Sequence, residues 1–212
     1  MQKMTVKQAV EFVGGFSAPS KMPCQGFSIP AWLCKTGGKL REVSGSVCSK
    51  CYALKGRYSF PNVKNALQRR FERISDTAWV DAMTIAIGGT ESSGFFRFFD
   101  SGDIQSVKML EDIVQIAKNL PHIAFWLPTR EYSMVGDYVK KHGAFPGNLT
   151  VRLSAFMLQG KAPIAIAQKY GAVASGVSKE GFTCPSSSQG NKCLTCRNCW
   201  NRNVAVVTHK QH

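Results

Sequence analysis

Residues 95–127 read FFRFF DSGDIQS VKMLEDIVQIAKN LPH IAFWL, and this stretch decides the fold. It holds an apolar run at 95–99, a polar turn, apolar residues at helical spacing over 107–119, and a second apolar run at 123–127. Short apolar runs predict buried strands, and a spacing of about 3.6 residues predicts an amphipathic helix. A strand, a helix and a strand in this order predict parallel neighbours in one sheet.

The same alternation continues toward both ends of the chain. It predicts helices at 6–13, 63–74, 77–87, 132–142 and 162–170, strands at 149–153, 172–177 and 204–208, and an extended segment at 26–32. The sum is about six mostly parallel strands, in a sheet that is either open and doubly wound or curled into a barrel. A complete eightfold barrel usually takes about 250 residues, so for 212 residues we expect an α/β fold with a partial (β/α) barrel.

The chain is long enough for one domain with a hydrophobic core, and we expect a single domain over residues 1–212. Its expected parts are an N-terminal cysteine loop at 24–58, the βα repeats at 95–180 and a C-terminal cysteine cluster loop at 181–202. Within the first of these, residues 34–58 are rich in Gly, Ser, Lys and Cys and predict a long irregular loop. Neither a signal peptide nor an apolar run of about 20 residues is present, which predicts a cytoplasmic protein without a membrane partner.

Eight cysteines in a chain of this kind indicate metal ligation rather than disulfides, because cytosolic thiols stay reduced. Near the C-terminus, Cys193, Cys196 and Cys199 follow one another at two-residue gaps. Three cysteines so spaced let one tight loop wrap an iron-sulfur cluster, and Cys184, followed by Pro185, is the candidate fourth ligand. The pattern favours an iron-sulfur cluster, and zinc stays open as the alternative metal because all-thiolate sites accept either.

A second set consists of Cys34, Cys48 and Cys51, with Cys24 upstream as a candidate fourth ligand. Three thiolates on a four-iron cluster leave one iron open to a small molecule, whereas four thiolates close the cluster. The two sets predict two sites, each a 4Fe-4S or 3Fe-4S cluster, although the ends of a parallel barrel can also lie close enough to share one cluster. Zinc is again the alternative at this set.

Polar residues follow the predicted strands at their C-terminal ends, where chemistry gathers in such folds. The catalytic candidates are Arg97, Asp100, Asp103, Arg130 and Arg152, and the cofactor-binding candidates are Ser101, Gly102, Thr129, Glu131 and Ser154. Arg97 and Arg152 lie inside apolar predicted strands, and each needs an anionic partner, either a carboxylate or a ligand. Structural roles remain the alternative: Asp103 as a helix cap, Arg97 in an internal ion pair, Glu131 as a first-turn acid. His209 is the one histidine expected near the same end.

The formal net charge of +14 predicts attraction to polyanions, so nucleic acid or a phosphorylated small molecule is a candidate partner. Part of this excess offsets the negative charge of thiolate clusters, if they are present. Basic and aromatic residues near the first cysteine set suggest base stacking and phosphate contact, with a solvated helix face as the alternative. These residues are Tyr52, Tyr58, Arg57, Arg69, Arg70 and Arg73. Neither a Walker loop nor an H-E-x-x-H zinc motif occurs.

Several motifs together resemble the phage gene product 88 domain family. They are Cys48-Ser-Lys-Cys-Tyr-Ala53 with Gly56-Arg-Tyr58, Arg97-Phe-Phe-Asp-Ser-Gly-Asp103, Phe125-Trp-Leu-Pro-Thr-Arg130, and Cys184-Pro185 with 193–200. Membership implies a phage protein acting in the host bacterial cytoplasm.

More distantly, the layout resembles radical S-adenosylmethionine enzymes, which combine a partial barrel, a three-cysteine loop and an auxiliary cysteine cluster. That resemblance implies S-adenosylmethionine as a candidate cofactor, although the gaps between Cys34, Cys48 and Cys51 are thirteen and two residues where that family has three and two. Three hypotheses follow: an iron-sulfur enzyme of radical S-adenosylmethionine type, a non-enzymatic iron-sulfur protein for electron transfer (with an electron donor as partner) or redox sensing, and a zinc-stapled nucleic-acid-binding protein.

Overall fold

A computed structural model describes residues 4–178 and 180–210. Within them, seven strands form one sheet in the order β1-β2-β3-β4-β5-β7-β6, and all neighbouring strands are parallel. The strands are β1 (Gly26–Phe27), β2 (Phe95–Phe98), β3 (Ala124–Thr129), β4 (Leu149–Ser154), β5 (Val173–Gly176), β6 (Phe182–Thr183) and β7 (Val206–Thr208). The sheet is not closed, since β1 and β6 are its edges, and the predicted α/β fold with a partial barrel is confirmed.

Seven helices accompany the strands in the described residues. They are α1 (Val6–Phe12), α2 (Lys35–Arg41), α3 (Pro61–Arg73), α4 (Trp79–Thr90), α5 (Val107–Asn119), α6 (Tyr132–His142) and α7 (Ile164–Lys169). Short 3₁₀ helices lie at Ala31–Leu33, Tyr52–Leu54, Gly56–Ser59, Pro185–Ser188 and Asn198–Trp200. None of the helices in this part of the chain combines the length and the apolar character that crossing a membrane requires.

Alternation along the strands directs side chains to two faces of the sheet. Phe96, Phe98 and Phe125 belong to a large core shared with the helices. Trp126, one residue further along β3, belongs to a second apolar cluster with Cys199 of the C-terminal cysteine loop. The C-terminal loop therefore covers the face of the sheet that a closed barrel would turn inward.

The prediction of an irregular loop over residues 34–58 was wrong in part, because it contains the seven-residue helix α2. Two glycines in its sequence, Gly37 and Gly38, argue against a helix on propensity alone. A tertiary contact compensates: the carboxylate of Glu131, far along the chain, accepts hydrogen bonds at 2.7 Å from both the backbone N–H and the hydroxyl of Thr36. A carboxylate at a helix N-terminus stabilises the first turn.

The sequence predicted about six strands, and the described residues form seven. The additional strand is β6, which contains only Phe182 and Thr183. The predicted extended segment 26–32 is likewise shorter than expected, since it contains the two residues of β1 and then a 3₁₀ helix at Ala31–Leu33. These two strands, β1 and β6, are the edges of the sheet, and a strand of two residues is too short to show an alternating pattern.

Candidate metal centres

Cys34, Cys48 and Cys51, here called the three-thiol group, lie near the C-terminal ends of the strands. Cys34 follows β1 through the 3₁₀ helix at Ala31–Leu33, and the backbone N–H of Cys51 donates to the carbonyl of Cys48 at 3.2 Å. Burial raises the pKa of the Cys34 thiol well above its ordinary value, and the neighbouring charges of Asp103, Cys51 and Cys48 raise it further. The structure therefore brings the three predicted thiols into one electrostatic neighbourhood.

Gly37, in the first turn of α2, lets two of these thiols approach each other. A Cβ atom on Gly37 would lie 3.0 Å from the Cβ of Cys34, 3.7 Å from its sulfur and 3.6 Å from the sulfur of Cys48. By contrast, a Cβ atom on Gly38 would meet nothing within 4 Å. A side chain at position 37 would therefore fill the space beside both sulfurs.

Asp100 ties the chain around Cys51 to the end of β2. Its carboxylate accepts a hydrogen bond from the hydroxyl of Tyr58, and its backbone carbonyl accepts one from the hydroxyl of Tyr52. Arg97 donates to the same carboxylate at 2.9 Å. Asp100 is therefore the anionic partner that was expected for an arginine in an apolar strand. Asp100 therefore holds the segment that follows Cys51 against the end of β2.

Asp103 organises the ends of β2 and β3. Its carboxylate accepts hydrogen bonds from the Thr129 hydroxyl at 2.6 Å, from the Arg130 backbone N–H at 2.8 Å and from the Ile104 backbone N–H at 2.8 Å. Burial raises the pKa of Asp103 to about 6 although these hydrogen bonds oppose the rise. The negative charge of Asp103 also contributes to the raised pKa of Cys34.

The remaining candidates at this edge have partners within the protein. The Ser101 hydroxyl donates to the Ile29 carbonyl at 3.0 Å, Ser154 and Ser175 share a hydrogen bond of 3.1 Å, and Arg130 Nε donates to the Ala155 carbonyl at 3.2 Å. Gly102, with φ of +85°, packs so closely that a Cβ atom would lie 2.3 Å from Cγ1 of Ile29 and 2.7 Å from its carbonyl oxygen. These contacts explain the residue types, and direct ligand binding by Ser101, Gly102, Thr129, Glu131 or Ser154 stays a prediction.

The other five cysteines form a second neighbourhood, here called the C-terminal thiol group: Cys24, Cys184, Cys193, Cys196 and Cys199. Cys24 and Cys199 are buried in one apolar cluster, and Cys184 packs against it. Burial raises the pKa of Cys193, and the charges of Cys184 and Cys196 raise it further. Burial also raises the pKa of Cys199, and the charge of Cys184 contributes to that rise. Cys184 therefore lies with the Cys193–Cys199 loop, where the spacing placed it.

Cys24 was predicted as a candidate fourth ligand beside Cys34, whereas the structure packs it in the cluster of Cys199. Burial raises the pKa of its thiol, and the charge of Cys193 contributes to the rise. A backbone hydrogen bond of 2.8 Å from the Cys193 N–H to the Lys21 carbonyl joins the two segments. The chain before β1 thus runs beside the C-terminal loop.

Arg152 is fully buried in β4, and its hydrogen-bond partners are backbone carbonyls rather than the carboxylate that was one of the two expected partners. Its five N–H groups donate to five backbone carbonyls at 2.6–3.0 Å. One of these, Ala174, lies in β5; the other four, Asn198, Cys199, Asn201 and Val204, lie in the C-terminal loop. Several carbonyl dipoles together solvate the charge, although burial lowers the pKa of Arg152 to about 10. Arg152 anchors the loop, and no donor is left for a substrate.

Trp126 and Trp200 are functional candidates that the search for polar residues missed. The Arg97 guanidinium lies 4.3 Å from the Trp126 ring centroid, and Trp126 packs edge-on against Trp200 at 5.3 Å. His209 stacks on Trp126 at 6.2 Å, so it lies beside the C-terminal thiol group. Within the described residues, two buried N–H groups here have no hydrogen-bond partner, Arg97 Nε and Trp126 Nε1.

Among residues 4–178 and 180–210, no three His, Cys, Asp or Glu side chains converge as they stand on the position of a single metal ion. The cysteines are free thiols in the structure. A multi-iron cluster is larger than one ion, so its thiolate ligands surround a volume rather than a point. The donor sets of both thiol groups, entirely sulfur, have the chemistry that such clusters require.

Comparison with known proteins places the chain in a family. Neither the curated proteins nor the solved structures yield a match. The model of one family, described as gene product 88, matches residues 2–212. This chain therefore belongs to the phage gene product 88 family.

Proposed function

We propose that the chain is an iron-sulfur protein with two different sites. The C-terminal thiol group would hold a fully ligated cluster, and the three-thiol group would hold a cluster with one open iron. The observation that supports this division is the position of Cys24, which packs with Cys199 rather than with Cys34. That position leaves three thiols at the C-terminal edge of the sheet, where α/β folds place their chemistry.

The thiols of the C-terminal group need a nearby positive charge if they are to act as metal ligands. Burial raises the pKa of Cys24 and of Cys199 to about 12, so the protein by itself disfavours the thiolate form that a metal ligand must adopt. A bound metal supplies the positive charge that reverses this preference. Arg97 and Arg152 lie close enough to lower the pKa of Cys199, and they would compensate the negative charge of a cluster.

The two unpartnered donors support the same assignment. Arg97 Nε and Trp126 Nε1 are buried beside Cys24 and Cys199 without a protein acceptor in the described residues. A buried donor without a partner costs about 1–3 kcal/mol. Cluster sulfurs accept hydrogen bonds, and such bonds tune the reduction potential. A cluster in this position would give both donors an acceptor.

The open site would take a small molecule as its ligand, and S-adenosylmethionine is the candidate. An iron with a free position would supply a coordination site, and the cluster, once reduced by an external electron donor, would supply an electron; the protein would supply orientation and exclusion of water. Asp100 positions the loop of Cys51 through Tyr52 and Tyr58, and Glu131 positions α2 behind Cys34. In this proposal the protein is an enzyme acting in the host bacterial cytoplasm, where thiols stay reduced.

Two cysteine variants test the division into sites. Cys34→Ser should remove the cluster with the open iron and leave the EPR signal of the other, whereas Cys24→Ser should disturb only the closed cluster. Adding S-adenosylmethionine to anaerobically reduced protein should change the EPR signal that Cys34→Ser abolishes. Fully ligated clusters in both groups, with no response to S-adenosylmethionine, would favour the non-enzymatic electron-transfer or redox-sensing hypothesis. Zinc in both groups would favour the zinc-stapled alternative.

A further inference from the structure

A shallow cavity of about 290 Å³ opens beside the three-thiol group. It is lined by Trp32, Ala53, Leu54, Tyr58 and Lys64. Trp32 lies two residues before Cys34, and Ala53 lies two residues after Cys51, so the cavity borders the thiol loops on both sides. Trp32 and Tyr58 provide aromatic rings on which a planar group can stack, and Lys64 provides a positive charge.

Exposed aromatic residues are concentrated around this cavity. Among the large hydrophobic residues that are exposed in the described part of the chain, four are aromatic: Trp32 (37% exposed), Tyr52 (43%), Phe60 (55%) and Phe182 (38%). Three of them lie within residues 32–60, and the rings of Tyr52 and Tyr58 are 5.9 Å apart. We call Trp32, Tyr52, Tyr58, Phe60 and Lys64 the aromatic-basic surface.

The same part of the chain carries much of the positive charge. Residues 31–70 contain nine Lys and Arg against one acid, Glu42, a net charge of +8 within a total of +14. Seven of the nine are exposed: Lys35, Lys39, Lys50, Lys55, Arg57, Lys64 and Arg69. Arg70 is not available to a partner, because it is buried and its Nε donates to the carbonyls of Gly14 and Gly15. Of the arginines that the sequence suggested within residues 31–70, Arg57 and Arg69 are exposed, and exposed lysines supply the other cations of this region.

We propose that the aromatic-basic surface binds single-stranded nucleic acid. Unpaired bases would stack on Trp32, Tyr52 and Phe60, and the surrounding lysines would contact phosphates. Exposed aromatic rings offer little to a duplex, whose bases are already stacked. The aromatic component separates this proposal from general attraction to polyanions, which needs charge alone. We further infer that the bound strand is the substrate of the open iron site, and this part of the proposal rests on the proposed function. The binding of the strand itself requires no iron.

Binding is measured by fluorescence anisotropy of a labelled oligothymidine, about 16 nucleotides long to span the upper end of known site sizes. Trp32→Ala and Phe60→Ala should each weaken binding about fivefold to 150-fold, the range expected for loss of one stacked base. Lys64→Ala should reduce the steepness of the salt dependence by about 0.7 in log–log slope, the value for one phosphate contact on a single strand. The circular dichroism melting curve of each variant verifies its fold, and Phe60 gives a test independent of Trp32.

Two control variants separate this surface from the rest of the protein. Phe182→Ala removes an exposed ring at the opposite edge of the sheet, and Lys118→Ala removes an exposed cation from the last turn of α5, at the N-terminal edge. Both should bind as the native chain does. The proposal is overturned if Trp32→Ala and Phe60→Ala bind unchanged, or if a duplex of equal length binds as tightly as the single strand. Iron content is measured in each variant, so loss of iron with intact binding would count against the proposed function and not against this surface.

Discussion

Replacing Arg152 with lysine should loosen the C-terminal thiol group by a predictable amount. Arginine provides five N–H groups, and all five are used at 2.6–3.0 Å. A lysine ammonium provides three, so at least two of the five carbonyls lose their contact with this side chain. The Asn198 and Asn201 carbonyls each keep a backbone N–H donor, so the loss is set at about 1–3 kcal/mol, the cost of one unsatisfied buried acceptor. Domains of this kind have a total stability of about 5–15 kcal/mol, so the effect should be large.

The assay is urea unfolding of metal-free protein under anaerobic, reducing conditions, followed by tryptophan fluorescence. Arg202→Lys is the matched control, because this exposed arginine makes one hydrogen bond of 3.3 Å, to the Pro146 carbonyl, and should change stability by less than about 0.5 kcal/mol. Alkylation of the buried Cys199 should accelerate in Arg152→Lys and not in the control. Equal unfolding midpoints and equal alkylation rates for Arg152→Lys and the native chain would refute the anchoring role.

Two glycine substitutions test the packing near the C-terminal edge of the sheet. Gly37→Ala should lower the iron bound by the three-thiol group, because its methyl group would occupy space beside two sulfurs. Metal analysis would detect this loss. Gly38→Ala is the control, since this position lies in the same helix with open space around it, and it should leave the bound iron unchanged. Gly102→Ala should destabilise the protein by about 3 kcal/mol in thermal unfolding, the upper end of the usual cost of overpacking, because its Cβ would collide with Ile29. Gly94→Ala shares the positive φ (+77°) without the collision, and an equal loss in both variants would show that backbone strain alone is responsible.

The fold was predictable where the hydrophobic pattern is long. The boundaries of α5 and α6 coincide with the predicted ranges, because each helix has ten or more residues with a regular apolar stripe and a clear turn before it. The prediction missed α2, because its two glycines disfavour a helix and the carboxylate that binds its first turn belongs to the distant Glu131. A single sequence does not show a contact across 95 positions.

The division of the cysteines was predictable only where the ligands are close in sequence. The spacing of Cys193, Cys196 and Cys199 indicated one loop, and Cys184 lies beside that loop in the structure. Cys24 was grouped with Cys34 because the two are near in sequence, whereas the sheet brings Cys24 beside Cys199.

A buried arginine poses a similar problem. Both Arg97 and Arg152 need partners for their charge, and the sequence pattern is the same for each. Arg97 has a carboxylate, and Arg152 has a ring of carbonyls that belongs mostly to the loop above it. The number of carbonyls within reach depends on how that loop folds over the sheet, which residue types do not reveal.

Analysis of metal and sulfide in the native chain, purified without oxygen, decides whether the thiol groups hold iron-sulfur clusters. We expect iron together with acid-labile sulfide, in amounts that fall separately when Cys24 or Cys34 is replaced by serine. Zinc without sulfide, or iron that both substitutions leave unchanged, would contradict it.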